Sequence, residues 1–113
     1  MHEIQIAQEL SAIVLEVAER EKLSVVTEID VIFGKMIQVV PEIFEFAFRE
    51  CVRESIACEA KLNIEVLSVR IRCMECNEEM DLPDFWFICS KCNSTNLKII
   101  QGKEMFVKSI EGE

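Results

Sequence analysis

The chain has no tyrosine, one histidine, three glycines and two prolines among its 113 residues. Its only histidine stands at position 2, so there is no interior imidazole to act as a general base and no Ser/His/Asp set. Nor is there a glycine-rich run to cradle a phosphate. Hydrolase and redox-enzyme chemistry is therefore poorly supplied. Basic residues are scarce too: 12 Lys and Arg stand against 21 Asp and Glu, for a formal charge of −9. A DNA or RNA binder needs a basic face to displace counterions. The bases from Arg70 to Lys108 are scattered, with no aromatic stripe beside them. No apolar run approaches the ~18 residues of a spanning helix. Met1-His2-Glu3 has no basic stretch of the kind that opens a signal peptide, and none is expected. Repeats and low-complexity linkers are missing as well.

What the chain does have is hydrophobic residues, half of the total, and six cysteines. Its length suits one domain, or a core of about 80 residues joined to a module too small to fold without an ion. Four of the cysteines form two C-x-x-C pairs, Cys73-Met74-Glu75-Cys76 and Cys89-Ser90-Lys91-Cys92, separated by twelve residues. This spacing is a strong zinc signature. Zn²⁺ has no ligand-field preference and takes four thiolates tetrahedrally, and each C-x-x-C turn offers two sulfurs to one ion. Each pair is followed by asparagine (Asn77, Asn93), which tolerates the left-handed conformation that such a turn requires. Two disulfides are the alternative, but with Cys51 and Cys58 unpaired a reducing cytosol is the natural setting. A thioredoxin-type redox site needs one such pair at a helix start, not two facing each other. Four cysteines leave no open coordination position, so the expected site is closed and structural.

Hydrophobic spacing orders the remainder. Ile6, Leu10, Ile13, Val14 and Val17 recur at helical intervals between Glu3 and about Lys22. Residues 25–33 alternate as a half-buried strand, which Gly34-Lys35 breaks. Pro41 opens a second helix where its missing N–H costs nothing, with Phe44, Phe48, Cys51 and Val52 as its buried stripe. Phe46 falls off that stripe, so it either packs at a flank of the core or meets a partner, and the core reading is preferred. From Leu62 to Arg72 a long strand changes phase: Leu62, Ile64 and Val66 share one face, then Leu67, Val69 and Ile71. Such a switch marks a bulge or a strand leaving one layer for another, here the exit from the core toward the cysteines. After Cys92 the chain runs to Ile100, turns at Gln101-Gly102 and makes a last strand from about Glu104 to Ile110. The expected fold is α+β, two helices on a small three-stranded mixed sheet with an inserted zinc-ribbon-like module.

At the other end, Met1-His2-Glu3 offers a second donor set. Cells trim the start methionine mainly when the second residue is small, so Met1 is expected to stay and to keep its amine beside His2. The first N–H groups of a helix lack an intrahelical acceptor, so the amides of His2 and Glu3 can yield their protons to a metal. One amine, two amide nitrogens and an imidazole make a near-planar set suited to square-planar Ni(II) or Cu(II). A solvated surface histidine is the plainer reading of His2 taken alone.

A chain that opens Met1-His2-Glu3-Ile4, carries C-x-x-C…C-x-x-C after about seventy residues and closes Val107-Lys108-Ser109-Ile110-Glu111 resembles the HypA family of hydrogenase nickel-incorporation proteins. Pro41-Glu42 with Phe46-Ala47-Phe48, and Ala60-Lys61-Leu62-Asn63-Ile64, look like that family's second helix and following strand. The resemblance implies a cytosolic nickel metallochaperone and not an enzyme. It implies a nickel-binding α/β domain (1–70 plus 103–113) and a zinc domain (71–102). Its Ni²⁺ would be cargo held at Met1, His2 and Glu3, and its structural Zn²⁺ would sit on Cys73, Cys76, Cys89 and Cys92. Implied partners are a HypB-type GTPase, the hydrogenase large subunit and, in some bacteria, urease accessory proteins. Neither nucleic acid nor membrane is implied, and the expected assembly is a monomer or weak homodimer. Two features depart from the family pattern. Asn77 and Asn93 stand where some members carry histidines flanking the zinc cysteines. Arg53-Glu54-Ser55-Ile56-Ala57-Cys58 replaces a Gly-rich turn, with Cys58 read as a small buried hydrophobe. The alternative is a zinc-ribbon module that binds protein or nucleic acid and has no nickel role.

Overall fold

The computed structural model describes residues 3–113. Helix α1 (Glu3–Arg20) begins with the acidic Glu3 at its positive end and finishes with Arg20, the arrangement that its dipole favours. It buries Ile6, Ala7, Leu10, Ser11, Val14 and Ala18. This stripe lies to one side of the expected one. Small residues at 7, 11 and 18 face inward, while Ile13 is exposed. Close packing of the neighbouring elements selects the small side chains over the larger isoleucine.

Strand β1 (Val26–Gly34) follows, then a 3₁₀ turn (Lys35–Ile37), then α2 (Pro41–Cys51), with Pro41 in the first turn as its fixed φ allows. β2 (Lys61–Leu67) lies parallel to β1, with Ile29 opposite Leu62 and Phe33 opposite Val66. Parallel neighbours need a crossover, and α2 supplies it. The last strand, β6 (Met105–Gly112), runs antiparallel along the other side of β1, so the sheet order is β2-β1-β6. Both helices cover one face. Ile29, Val31 and Phe33 from β1 join Ile6, Leu10 and Val14 of α1 and Phe44 and Phe48 of α2 in a single core. At its centre the Phe33 and Phe44 rings meet edge to face, with centroids 4.9 Å apart.

The expected long strand at 62–72 is two strands in two sheets. β2 ends at Leu67, and β3 (Arg70–Cys73) pairs antiparallel with β4 (Glu79–Asp81) and with β5 (Leu97–Gln101). At the break, Val69 gives its carbonyl to the N–H of Leu82 at 2.7 Å, so the phase change marks the passage between sheets. The second sheet has a small core of its own. Val69, Ile71 and Leu82 are buried there, and Met36, Met80, Phe85, Phe87, Leu97 and Ile99 pack around them.

The two sheets meet where the chain crosses itself. Gly34 lies against the backbone of Gly102, and a methyl group on Gly34 would overlap it. Gly102, at φ +125°, lies against Val69 and Met36 and accepts the Met36 N–H at 2.9 Å. Lys35 reaches across to the Pro83 carbonyl at 3.0 Å, with its ammonium 5.9 Å from the centre of the Phe85 ring. Gly34→Ala is therefore expected to lower stability by about 3 kcal/mol through overpacking against backbone that cannot give way. Urea unfolding followed by circular dichroism measures this, and a change below about 0.5 kcal/mol would contradict the crossing.

Candidate metal centre

β3 delivers Cys73 at its end, and the chain then makes a tight knuckle. The N–H of Asn77 returns to the Cys73 carbonyl at 2.8 Å, and the Cys73 N–H donates to the Glu78 carbonyl at 2.9 Å. The second pair repeats the construction: Asn93 N–H to the Cys89 carbonyl at 2.8 Å, and Cys89 N–H to the Ser94 carbonyl at 2.9 Å. Asn77 (φ 61°) and Asn93 (φ 63°) take the left-handed conformation that closes each knuckle. Further contacts hold the two together. Lys91 pairs with Glu78 at 3.4 Å, the Asn96 side chain donates to Glu75 at 3.1 Å, and Met74 N–H meets the Asn96 carbonyl at 2.9 Å.

The knuckles face each other. All four sulfurs lie within 4.8 Å of one another, with Cys73 to Cys92 at 3.5 Å and Cys76 to Cys89 at 3.7 Å. Four thiolates around one tetrahedral ion at about 2.3 Å stand about 3.8 Å apart, so the spacing fits a single zinc-like ion. The set is graded in exposure, with Cys73 and Cys89 buried, Cys76 intermediate and Cys92 exposed.

Backbone amides tune the thiols unequally. The N–H of Cys76, then that of Glu75, hold the Cys73 thiol down to about 6 against the opposing effect of burial. Cys92 and Lys91 N–H groups lower Cys89 in the same way. At the second cysteine of each knuckle one N–H acts downward, but it is outweighed. Glu78 N–H favours the Cys76 thiolate, yet burial and the neighbouring Cys73 and Cys89 drive it up. Ser94 N–H favours the Cys92 thiolate, yet Cys73 and then burial leave it pushed up to about 12. Each knuckle thus has one cysteine ready to ionise and one that keeps its proton until an ion neutralises the crowded sulfurs.

Glu3 is the first described residue of α1, and its carboxylate accepts the N–H of Val40 at 2.9 Å. Val40 is the residue before Pro41 at the start of α2, so the beginnings of the two helices are tied together. Met1 and His2, the other candidate nickel ligands, lie outside the described residues. Cys51 and Cys58, expected inside, are both exposed. Cys51 sits at the last position of α2, past the stripe that Phe44, Ala47 and Phe48 bury. Cys58 stands in a chain of tight turns from Val52 to Ala60, whose inward position goes to Ala57. No spacing rule marked the Glu3–Val40 bond, because it joins residues 37 positions apart.

At about pH 7.5, Cys76 and Cys92 keep their protons while a bound metal takes thiolates. Loading one Zn(II) into the metal-free chain is expected to release about two protons or more, read by calorimetry in buffers of differing ionisation enthalpy. Release of less than one would contradict a four-thiolate site.

The family described as "Hydrogenase/urease nickel incorporation, metallochaperone, hypA" matches residues 1–112. The hydrogenase maturation factor HypA of Aquifex aeolicus (strain VF5) is 34% identical over 113 residues, spanning 100% of this chain and 98% of that protein. HypA of Moorella thermoacetica is 33% identical, spanning 100% of both. The solution structure of the Ni metallochaperone HypA from Helicobacter pylori superposes with a TM-score of 0.70 at 29% identity, covering 99% of this chain and 97% of that one. The match runs through both sheets and not through the cysteine knuckles alone, and the chain belongs to the HypA family, whose members are nickel-incorporating metallochaperones and not enzymes.

Proposed function

We propose that the chain carries Ni(II) at its first residues and hands it on during maturation of a [NiFe] hydrogenase, with urease as a second client class, while a permanent zinc ion holds the module that begins at β3. The family match over residues 1–112, which takes in Met1-His2-Glu3, carries this reading. Nickel would be bound by the Met1 amine, the amides of His2 and Glu3, and the His2 imidazole. Four nitrogens in one plane suit a d⁸ ion. The Glu3 carboxylate accepts the Val40 N–H, so in this reading Glu3 contributes its backbone nitrogen while its side chain sets the start of α1 against α2. Protons leave as nickel binds, so the affinity rises with pH.

Zinc would be held by Cys73, Cys76, Cys89 and Cys92, supplying a tetrahedral charge centre that neutralises four thiolates. These ligands exclude exchange by their number, since no coordination position stays open. The module would comprise residues 71–102, and residues 1–70 with 103–113 would form the nickel-carrying domain. Among the described residues no helix is long and apolar enough to cross a membrane, and free thiols suit the cytosol. Partners in this reading are a HypB-type GTPase and the hydrogenase large subunit, with urease accessory proteins where urease is the client. Capture of the client enzyme from a native lysate decides between hydrogenase and urease.

Two substitutions separate the sites. His2→Ala, in protein with its authentic first residue, is expected to abolish nickel binding and to leave zinc content and circular dichroism unchanged. Nickel binding of unaltered affinity would rule out the chain-start site. Cys73→Ala is expected to lose zinc and to unfold at least the segment from Ile71 to Ile100, because so small a module draws its folding free energy from the ion. A zinc-free variant with native circular dichroism and melting would contradict that role.

A further inference from the structure

Phe46 is 71% exposed although it sits in the middle of α2, so the flank position read for it inside the core is not the one it takes. Helix periodicity explains the exposure. The stripe that faces α1 and the sheet is Phe44, Ala47 and Phe48, and a residue two positions beyond Phe44 points away from it. Phe46 is not alone. Ile43, one turn before it, is 51% exposed, and Ile4 on α1 is 61% exposed. A groove of about 300 Å³ between the helices is lined by Ile4, Gln8, Phe46, Ala47, Glu50 and Cys51. Single apolar side chains on a surface are ordinary, but a contiguous groove with an aromatic at its lip marks a binding surface.

Charge says what covers it. α1 carries Glu3, Glu9, Glu16 and Glu19 against Arg20 alone, and α2 carries Glu42, Glu45 and Glu50 against Arg49 alone. Arg49 is turned to Glu45 and to the Ala60 carbonyl, which neutralises that pair. Glu16, Glu19 and Arg20 all lie at the far end of α1 from Ile4, so Glu9 and Glu42 supply the excess negative charge near the groove. Beyond α2, Arg53 is engaged by Glu50 at 3.4 Å. A second copy of this chain would bring another −9 against the same acidic helices, which disfavours self-pairing.

We propose that the Ile4–Phe46 groove is the docking site for an amphipathic segment of a partner protein, an apolar ridge flanked by lysines or arginines, with Phe46 as the anchor. The acidic helices steer such a segment in, and the groove takes its apolar side chains. Ile4 follows Glu3 directly, so a partner seated here lies beside the start of α1. That this brings it to the nickel rests on the function proposed above; the docking itself does not.

The test uses the zinc-loaded full chain without nickel, labelled with ¹⁵N and titrated with a synthetic helical peptide of leucine and lysine only. Its leucine–glutamate counterpart is the control. Amide shifts are expected around Ile4, Gln8, Ile43, Phe46 and Cys51. Phe46→Ser, an exposed change that leaves the core intact, is expected to weaken binding about tenfold, as is raised salt. The glutamate peptide is expected not to bind. Shifts centred on the other exposed aromatics, Trp86 or Phe106, would overturn the proposal, as would equal binding by the Phe46→Ser protein or by the glutamate peptide. A dimer in sedimentation that Phe46→Ser dissolves would assign the groove to a second copy instead, and so overturn it. His2→Ala protein is expected to bind the lysine peptide unchanged, so failure of the nickel reading and failure of the groove are told apart.

Discussion

Four sulfurs within 4.8 Å of one another set the condition on which the second half of the chain rests. The sheet beside them buries only Val69, Ile71 and Leu82 completely enough to count as core. So little apolar area does not offset the conformational entropy of some thirty residues. Sulfurs at this spacing oppose one another's ionisation, and burial adds to this in raising the Cys76 and Cys92 thiols. One divalent ion held there would remove that opposition by taking all four as thiolate ligands. The repeated knuckles then follow from the need to aim two sulfurs at one point from five residues of chain.

That condition reaches the first sheet through a short series of contacts. β3 and β5 place Val69 and Gly102 side by side, and Gly102 in turn holds Met36 and presses on Gly34 at the end of β1. Lys35 fastens the same turn to Pro83 in the loop before the second knuckle. The 3₁₀ turn ends at Ile37, and three residues later Val40 gives its N–H to Glu3. Backbone and side chain therefore connect the cysteine-bearing sheet to the beginning of α1 through residues 34–40. In the first sheet, Asn63 bridges Glu28 and Asp30 on the face away from the helices. Hydrogen bonds from Ser109 and then from Asn63 lower the Asp30 carboxyl.

Much of this was legible because it is local. The knuckles are written in the spacing of Cys73, Cys76, Cys89 and Cys92 and in the asparagines that follow each pair. Pro41 announces its helix by its own ring, and the mixed sheet follows from alternation at 25–33 and near the C-terminus. What was misread depends on partners that are distant in sequence. At 62–72 the change of phase was legible as an exit from the first sheet, but whether it is a bulge or a break is decided only by the hydrogen-bonding neighbours, β1 for one half and β4 and β5 for the other. Ile13, read as buried, is exposed, and Ala7, Ser11 and Ala18 take inward positions, because helical spacing gives a face only to within a residue or so. Phe46, Cys51 and Cys58 are apolar enough for a core but stand where no element covers them. The Glu3–Val40 and Lys35–Pro83 contacts have no sequence signal.

In the proposed function one chain separates two metals by donor type, thiolate sulfur for the ion that stays and nitrogen for the ion that is passed on. X-ray absorption at both the zinc and nickel edges, on one sample loaded with each metal and carrying its authentic first residue, tests this most directly. The account predicts four sulfur neighbours at about 2.3 Å around zinc, and light N/O neighbours without sulfur around nickel. Sulfur in the nickel shell, or nitrogen and oxygen replacing sulfur around zinc, would contradict it.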